Sequence, residues 1–270
     1  MRIPMGVKRN LYLSWGVKIM KTKIISFNIR CTDDENGYSV KERAPRLAKI
    51  METYDADVVG IQEYTPLWTE YIDEYFCDKY EFFNKYRTDK GWIEAAPILW
   101  KKDRYTCLKQ GYFWLSDTPE VMSGGWDEYR HNRICMYALL RDKRDGKTFA
   151  FFNTHLGFGE ENQIKSVRLI GQYMDMFAEY PMFITGDFNM IPSSAPYAEM
   201  VKKFKDVNGM TVNDRRSTYH GYDLHNNFDM HIDYCFINDK IAPISFKIID
   251  EQIEGKFPSD HYGIYIELEI

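Results

Sequence analysis

The chain has 270 residues, of which 44% are hydrophobic and 28% are charged, a composition typical of a globular protein and not of a disordered one. Its formal net charge of −5 argues against a broad basic surface that binds duplex nucleic acid tightly, although a local groove or a bound metal ion can still hold such a substrate. The five cysteines are scattered and form no C-x-x-C pair, which argues against both a disulfide framework and a zinc site.

The first 20 residues differ from the rest of the chain. They are basic, and their apolar stretch at residues 11–17 is too short and too interrupted for a signal peptide. No apolar run in the sequence reaches membrane-spanning length. We therefore expect residues 1–20 to be an N-terminal extension outside the core, residues 21–270 to form one catalytic domain, and the protein to be cytoplasmic. The sequence does not specify an oligomeric state.

The first part of this domain alternates strands and helices. A buried strand over residues 23–28 ends in the polar Asn28. Ser39 and Glu42 form a capping box, which predicts that a helix begins here. A second strand, over residues 57–63, ends in Glu63, and a helix is predicted for residues 66–76.

The remainder is patterned as strands with two further helices. Asp145-Gly146 predicts a tight hairpin turn between two of the strands. The helices are predicted at residues 161–179 and 195–204. The strands are predicted at residues 81–84, 96–100, 111–115, 135–140, 149–154, 182–185, 231–236, 244–250 and 262–270. This order predicts one α/β domain with two sheets packed face to face and helices outside.

Polar residues recur at or near the ends of these strands. Each one alone is more simply explained as a turn former or a structural residue, but the set as a whole suits phosphoryl chemistry. Carboxylates such as Glu63 and Asp260 are hard oxygen ligands that fit Mg²⁺. Another carboxylate can position or deprotonate water, and imidazolium and amide N–H groups can stabilise a phosphoryl group. The candidates are Asn28, Glu63, Asn153, His155, Asp187, Asn189, Asp233, Asp260 and His261.

Six short motifs carry these residues in a fixed order. They are Ser26-Phe27-Asn28, Ile61-Gln62-Glu63, Asn153-Thr154-His155, Gly186-Asp187-Phe188-Asn189, Ile232-Asp233-Tyr234 and Ser259-Asp260-His261. The series resembles the ordered motifs of the endonuclease/exonuclease/phosphatase superfamily, from about Lys21 to the C-terminus. The resemblance implies a four-layer, DNase-like α/β sandwich, in which two packed mixed β-sheets are flanked by helices. Residues 111–120 also resemble a segment of the bacterial members related to the deadenylase-like branch.

The resemblance also implies roles for individual residues. Glu63 would hold the metal directly, Asn28 directly or through water, and Asp260 would be a further ligand or support one. Asp187 would orient or deprotonate the attacking water, with Asn189 on the phosphate.

The two histidines would serve the phosphoryl group. His261 would donate to a phosphate oxygen, with Asp233 fixing its tautomer and raising its pKa, and His155 would be a second donor. Several superfamily members carry a mid-chain tyrosine or arginine on the phosphate. Arg133 is the candidate here, because a guanidinium can fork onto phosphate, but a surface arginine at the start of a strand fits the sequence equally well.

The expected activity is metal-dependent hydrolysis of a phosphoester with Mg²⁺ or Mn²⁺ as cofactor. A nuclease that acts on phosphodiesters by in-line attack of an activated water is the first prediction, with nucleic acid as a possible substrate. A small-molecule phosphatase or phosphodiesterase on the same fold is the alternative, because the fold does not choose the substrate. A non-catalytic binding module is a third interpretation, which the complete set of motifs disfavours.

Overall fold

A computed structural model describes residues 21–225 and 228–270 of the protein. The strands are β1 (Lys21–Asn28), β2 (Val58–Gln62), β3 (Tyr80–Phe83), β4 (Ile98–Lys101), β5 (Tyr105–Trp114), β6 (Ile134–Asp142), β7 (Thr148–His155), β8 (Met182–Asp187), β9 (Lys205–Asp206), β10 (Asp233–Ile237), β11 (Ala242–Ile249) and β12 (Gly263–Glu269). The helices are α1 (Val40–Tyr54), α2 (Thr69–Tyr75), α3 (Glu160–Asp175), α4 (Ala195–Met200) and α5 (Val207–Met210), and a 3₁₀ turn (Pro66–Trp68) precedes α2.

The strands form two mixed sheets of six strands each. The first sheet has the order β11-β12-β1-β2-β4-β3, and the second has the order β5-β6-β7-β8-β10-β9. In each sheet the two central strands are parallel, β1 with β2 and β7 with β8, and their neighbours are antiparallel to them. A parallel pair needs a long crossover, which helices α1 and α3 supply. The carboxyl ends of four central strands therefore lie along one edge of the sandwich.

Three apolar clusters hold four layers together. One lies between the sheets and includes Ile24, Phe151 and Ile266. A second packs α3 and α4 on the outer face of the second sheet, and a third packs α1 and α2 on the outer face of the first. The predicted four-layer α/β sandwich is confirmed. Within the described part of the chain, every helix is too short or too polar to cross a membrane.

A buried polar network joins the two sheets beneath the strand ends. The side-chain oxygen of Asn153 accepts hydrogen bonds from Gln62 Nε2 at 2.8 Å and from Thr185 Oγ1 at 3.0 Å. Its amide nitrogen donates to the carbonyls of Ile61, Ala96 and Pro97. Asn153 is fully buried and its hydrogen bonds join the two sheets. In the motif Asn153-Thr154-His155, Asn153 therefore has a structural role, whereas His155 is the residue with a candidate chemical role.

The local predictions hold with corrections at the ends of elements. Helix α1 begins as expected, with the Glu42 carboxylate accepting a hydrogen bond from the Ser39 backbone N–H at 3.2 Å. Strand β5 begins at Tyr105 and not at residue 111, because its polar outer residues pair along the edge of the sheet. Helix α3 ends at Asp175 and α4 at Met200, each several residues earlier than predicted. The two-residue β9 and the four-residue α5 are too short for periodicity to reveal.

His231 is a buried histidine whose neighbours fix its protonation state. Nδ1 lies 2.9 Å from the carbonyl oxygen of Arg216, and Nε2 lies 3.2 Å from the amide nitrogen of Asn208. A carbonyl can only accept and an amide N–H₂ can only donate, so the neutral ring with its proton on Nδ1 fits. Burial lowers the pKa of His231 and the Arg215 charge adds to this, although the Arg216 carbonyl and the Asp206 and Asp233 charges oppose it.

This environment makes the stability of the protein depend on pH. Because the folded-state pKa of His231 lies below the unfolded-state value, its contribution is complete above about pH 6.5 and is lost as the pH falls below that value. We expect the free energy of unfolding to fall by about 1–2 kcal/mol more in the wild type than in His231→Gln between pH 7.5 and pH 5.0. Urea denaturation of both proteins at the two pH values measures this difference. Parallel losses in the two proteins would contradict it.

Candidate active site

The carboxyl ends of the central strands bring four predicted residues together. Asn28 ends β1, Glu63 follows β2, and His155 and Asp187 end β7 and β8, where they are paired in register. The Asn28 amide nitrogen donates to Glu63 Oε1 at 3.0 Å and to Asp187 Oδ2 at 3.0 Å. Asn28 therefore links a carboxylate of the first sheet to a carboxylate of the second.

The turn after β8 places Asn189 beside this group. Asn189 has a positive φ of 49°, which Asn tolerates better than most residues. Its backbone N–H donates to Asp187 Oδ1 at 3.0 Å. Its side-chain nitrogen donates to the Leu156 carbonyl at 3.0 Å and lies 3.1 Å from His155 Nε2. The turn thus fixes the positions of Asp187 and His155 together.

His261 lies between two carboxylates. Its Nδ1 is 3.0 Å from Asp233 Oδ2, and its Nε2 is 3.8 Å from Asp187 Oδ2. Asp233 opens β10 opposite Asp187 in the antiparallel pair with β8, and His261 directly precedes β12. All three residues are buried. The last strand of one sheet and a strand of the other therefore bring these residues into contact.

The surroundings of Asp187 and His261 raise the pKa values of both side chains. Burial, followed by the charge of Asp233, raises the pKa of Asp187 to about 7. Burial alone would lower the pKa of His261, but the carboxylates of Asp233 and Asp187 outweigh it and raise the pKa to about 10. At neutral pH His261 is thus a cation, while Asp187 can take up or release a proton.

Glu63, Asp260 and Asn28 offer oxygen ligands at the edge of the first sheet. Glu63 Oε2 accepts a hydrogen bond from the Cys31 N–H at 2.9 Å. Burial opposes the charge of Glu63, but the bonds from Cys31 and Asn28 hold its pKa below the usual value. Burial raises the pKa of Asp260, and the neighbouring charge of Glu63 raises it further. Two neighbouring carboxylates form a donor set that fits a hard divalent cation such as Mg²⁺. The Asn28 amide turns its nitrogen to Glu63, and its oxygen accepts a hydrogen bond from the Arg30 N–H at 3.0 Å.

A second set of acidic and histidine side chains lies within metal-binding distance. Ligand atoms of Asp187, Asp233 and His261 fall within 4.8 Å of one another. In this structure His261 Nδ1 is in contact with Asp233 Oδ2 at 3.0 Å, and Asp187 Oδ2 accepts a hydrogen bond from Asn28. We therefore interpret these three residues as a hydrogen-bonded group that is separate from the oxygen ligands around Glu63.

Arg133 lies beside His155, together with a second arginine, Arg87, that the sequence analysis did not single out. Arg133 Nη1 is 3.9 Å and Arg87 Nη1 is 3.0 Å from Glu94 Oε2. Arg87, Arg133 and His155 all line one small void. Burial and the charges of Arg133 and Arg87 hold the pKa of His155 well below its usual value. Nε and Nη1 of Arg133 and Nδ1 of His155 are buried without a hydrogen-bond partner among the described residues. The arginine groups are donors, and His155 Nδ1 is a donor in the tautomer whose Nε2 accepts from the Asn189 amide, so these groups can bind an anion.

Two arginines beside the candidate residues, Arg30 and Arg87, had no recognisable pattern in the sequence. Arg30 lies in the loop after β1, with Nη1 3.6 Å from Asp260 Oδ2 and two further bonds to Asp34. Arg87 lies in the loop between β3 and β4. Both are single arginines in irregular segments, and only the tertiary fold brings them to the site. The buried Ser259, part of a predicted motif, donates to the Asn28 carbonyl at 2.6 Å and ties the two ends of the chain together.

A comparison with models of known protein families identifies the family of this chain. Residues 25–261 match the family model described as the endonuclease/exonuclease/phosphatase family. The chain belongs to this family. Its members hydrolyse phosphoester bonds and are generally dependent on a divalent metal.

Solved structures of the family share the fold over nearly the whole chain. A Bacteroides thetaiotaomicron protein of this family is 25% identical with a TM-score of 0.84, covering 92% of this chain and 97% of that one. A mannosyl-6-phosphatase from the same organism is 24% identical with a TM-score of 0.83, covering 92% and 100%. D. rerio TDP2 complexed with a single-stranded DNA product is 20% identical with a TM-score of 0.71, covering 93% and 99%.

A viral protein is also similar in sequence. The uncharacterised protein L388 of Acanthamoeba polyphaga mimivirus is 26% identical over 168 residues. The match covers 58% of this chain and spans 62% of the length of the viral protein.

Proposed function

We propose that the chain is a Mg²⁺- or Mn²⁺-dependent phosphoester hydrolase that works by in-line attack of water on phosphorus. The observation that carries this proposal is the position of Asp187. Its Oδ2 lies 3.5 Å from His155 Nε2 and 3.8 Å from His261 Nε2, in a buried site where the two sheets meet. A base flanked by two imidazoles suits the attack of water on a phosphoryl group, because the base can accept the proton of the water and the imidazoles can donate to phosphoryl oxygens.

Asp187 is the general base in this proposal. A pKa of about 7 lets a carboxylate accept a proton from water at neutral pH. The backbone N–H of Asn189 holds Oδ1, and the amide of Asn28 holds Oδ2. The carboxylate is therefore oriented before substrate arrives.

The phosphoryl oxygens are bound by donors that lie beside the base. His261 supplies a cationic N–H that Asp233 orients through the 3.0 Å contact at Nδ1. The unpaired donors of His155 and Arg133 complete the set, and the Asn189 amide, which donates to the Leu156 carbonyl, holds His155 in place. Such fixed donors act where negative charge accumulates in the transition state.

Asp233→Asn tests the support given to His261. Without the carboxylate, the imidazole loses both its preferred orientation and the partner that keeps it protonated. We expect kcat to fall about 10- to 100-fold with little change in KM. Asp233→Glu, which keeps the charge, should recover part of the lost rate. Steady-state kinetics of both variants measures this, and equal losses in kcat for the two variants would contradict the role of the charge.

Glu63, Asn28 and Asp260 would hold the cation. When bound, Mg²⁺ or Mn²⁺ supplies positive charge to a phosphoryl oxygen and to the departing oxygen. Arg30 lies close enough to Asp260 to balance part of the carboxylate charge at this edge. Ser259 Oγ also lies 3.2 Å from Asp260 Oδ1, which fixes that carboxylate.

Two substrate classes remain as candidates. The nuclease predicted from the sequence is favoured by exposed aromatic rings near the site, because rings can stack nucleic-acid bases. A small-molecule phosphoesterase is favoured by the acidic residues around the same rings, because carboxylates repel a polyanion. The exposed rings are Trp92, Tyr129 and Phe158, and the adjoining acids include Glu128 and Glu160. We favour the small-molecule substrate, since the acids outnumber the cations on these walls.

The experiment that tests the proposed function is a substrate panel with the purified protein. Single-stranded RNA, duplex DNA, a chromogenic phosphodiester and a small phosphomonoester are each incubated with Mg²⁺, Mn²⁺ or EDTA. Metal-dependent hydrolysis of a small ester is the expected result, and cleavage of a polymer at a higher kcat/KM would select the nuclease. Absence of turnover on every substrate would contradict the proposed function and favour a binding module.

A further inference from the structure

A large cavity adjoins the candidate active site. Its volume is about 650 Å³, within the range of roughly 300–1,000 Å³ typical of sites for small ligands. Arg87 and Arg133 line both this cavity and the small void beside His155. The cavity therefore adjoins the arginines proposed to bind the phosphate. If a phosphoester binds there, its alcohol part would extend into the cavity.

The walls of the cavity carry aromatic rings that are left uncovered. Trp92, Tyr129 and Phe158 are 55%, 77% and 65% exposed. Trp126 also lines the cavity and is half-buried, with its Nε1 donating to Asp117 at 2.8 Å. Several exposed rings around one concave surface form an apolar face suited to a ligand.

The charge of the cavity changes along its length. Its inner end has two arginines and one carboxylate, Glu94, which lies 3.0 Å from Arg87 and leaves this end with a net positive charge. The outer walls carry the carboxylates of Glu128, Glu160 and Glu161. Glu161 pairs with Lys165 at 2.8 Å. No described residue forms a side-chain hydrogen bond or ion pair with Glu128 or Glu160, so both are available as acceptors.

The walls are held in place before any ligand binds. The side-chain oxygen of Asn162 accepts from the Trp126 N–H at 3.2 Å, and its nitrogen donates to the Phe158 carbonyl at 3.1 Å. The Asp127 carboxylate accepts from the backbone N–H groups of Tyr129 and His131. These bonds connect the two loops that carry Trp126, Tyr129 and Phe158, and on a third loop the Trp92 Nε1–H donates to Glu94. The cavity is therefore a built feature of the fold.

The combination of groups selects among possible ligands. A polynucleotide would bring further phosphates against Glu128 and Glu160, which is unfavourable. An alkylammonium group two carbons from the phosphate would lie beside Arg133, where like charges repel. An uncharged polyhydroxylated ring has C–H faces that pack on aromatic rings and hydroxyl groups that donate to carboxylates, which are acceptors only.

We propose that this cavity binds the alcohol part of a sugar phosphate, with the ring against Trp92, Tyr129 and Phe158 and its hydroxyl groups on Glu128 and Glu160. The inference rests on the proposed phosphoester hydrolysis and names its substrate class. The phosphate lies at the arginine end of the cavity, and the sugar leaves as the free alcohol after water attacks phosphorus.

The test compares esters that share a phosphate and differ in the alcohol. The full chain is assayed with Mg²⁺ on glucose, mannose and galactose 6-phosphates, ethyl phosphate, phosphocholine and a 5′-phosphorylated dinucleotide. We expect at least one hexose phosphate to exceed every other ester in kcat/KM by about tenfold or more. Ethyl phosphate has the same reacting group without the ring, and it therefore reports the chemistry separately from the cavity.

Variants connect that preference to the cavity. Phe158→Ala should lower the kcat/KM ratio of the preferred hexose phosphate to ethyl phosphate about three- to tenfold. The Glu128→Lys/Glu160→Lys double variant should lower that ratio and raise kcat/KM for the dinucleotide about threefold or more. The matched controls are Leu67→Ala and Glu52→Gln, an exposed apolar residue and an exposed acid outside the cavity, and both should keep the wild-type ratio.

The outcomes separate this inference from the proposed function. Metal-dependent hydrolysis of ethyl phosphate with a preference for phosphocholine or the dinucleotide would overturn the sugar assignment and leave the hydrolase proposal standing. A hexose phosphate preference that neither cavity variant changes would overturn the role of the cavity. Failure to hydrolyse any ester would contradict the proposed function itself.

Discussion

Asp187→Asn is expected to lower kcat about 10²- to 10⁴-fold, the usual contribution of a general base. Asparagine has nearly the same shape but cannot accept a proton from water. The fold should be retained, because removing this charge also relieves repulsion from Asp233, which raises the pKa of Asp187. Initial rates at saturating substrate and metal, together with thermal denaturation of the same samples, measure both effects.

The control for this variant is Asp239→Asn. Asp239 is an exposed aspartate whose side chain pairs with Lys205 away from the candidate residues, and its loss should leave kcat unchanged. Wild-type kcat in correctly folded Asp187→Asn would remove Asp187 as the base. A comparable loss in Asp239→Asn would show that the assay responds to general changes in charge and not to the site.

Glu63→Gln is expected to raise the metal concentration needed for half-maximal activity by about 10- to 100-fold. A neutral amide attracts a divalent cation less than a carboxylate does. In the wild type, the Glu63 carboxylate accepts hydrogen bonds from the Asn28 amide and from the Cys31 N–H. In the variant, the N–H₂ group of the new glutamine would face one of these donors and lose that hydrogen bond. Titration of activity with Mg²⁺ at fixed substrate measures the shift, and much of the rate should return at high metal concentration.

The matched control is Glu70→Gln, in which an exposed acid on α2 is neutralised. Its metal titration should overlay that of the wild type. If Glu63→Gln and the wild type had the same half-maximal metal concentration, Glu63 would not be a ligand. A fall in kcat that excess metal does not reverse would instead indicate that Glu63 acts on substrate.

The strand ends that carry the candidate residues were easier to predict from the sequence than the residues that surround them. Buried runs such as residues 182–185 mark strands by composition, and parallel neighbours necessarily end at the same edge. The proximity of Asn28 and Asp187, which lie in different sheets, depends in addition on how the two sheets pack face to face. The Asp233–His261 contact joins residues 28 positions apart, and it was expected because the resemblance to the family implies it.

The surroundings of the site depend on tertiary contacts that have no local pattern. Arg87 and Glu94 lie in an irregular segment between β3 and β4, and their pairing becomes visible only when Arg133 and His155 approach them. The sequence marked Asn153 as a polar residue near a strand end without giving it a role, and its buried amide spans the two sheets. The cavity walls come from three separate loops, so neither periodicity nor composition could assemble them.

The most direct test of the account is hydrolysis of a small phosphomonoester in H₂¹⁸O by metal-stripped protein, before and after Mg²⁺ is restored. The account predicts no turnover in EDTA, recovery with Mg²⁺, and one ¹⁸O atom in the phosphate released, because water attacks phosphorus. Turnover that EDTA does not reduce would contradict the metal requirement, and ¹⁸O in the alcohol instead of the phosphate would contradict the mechanism.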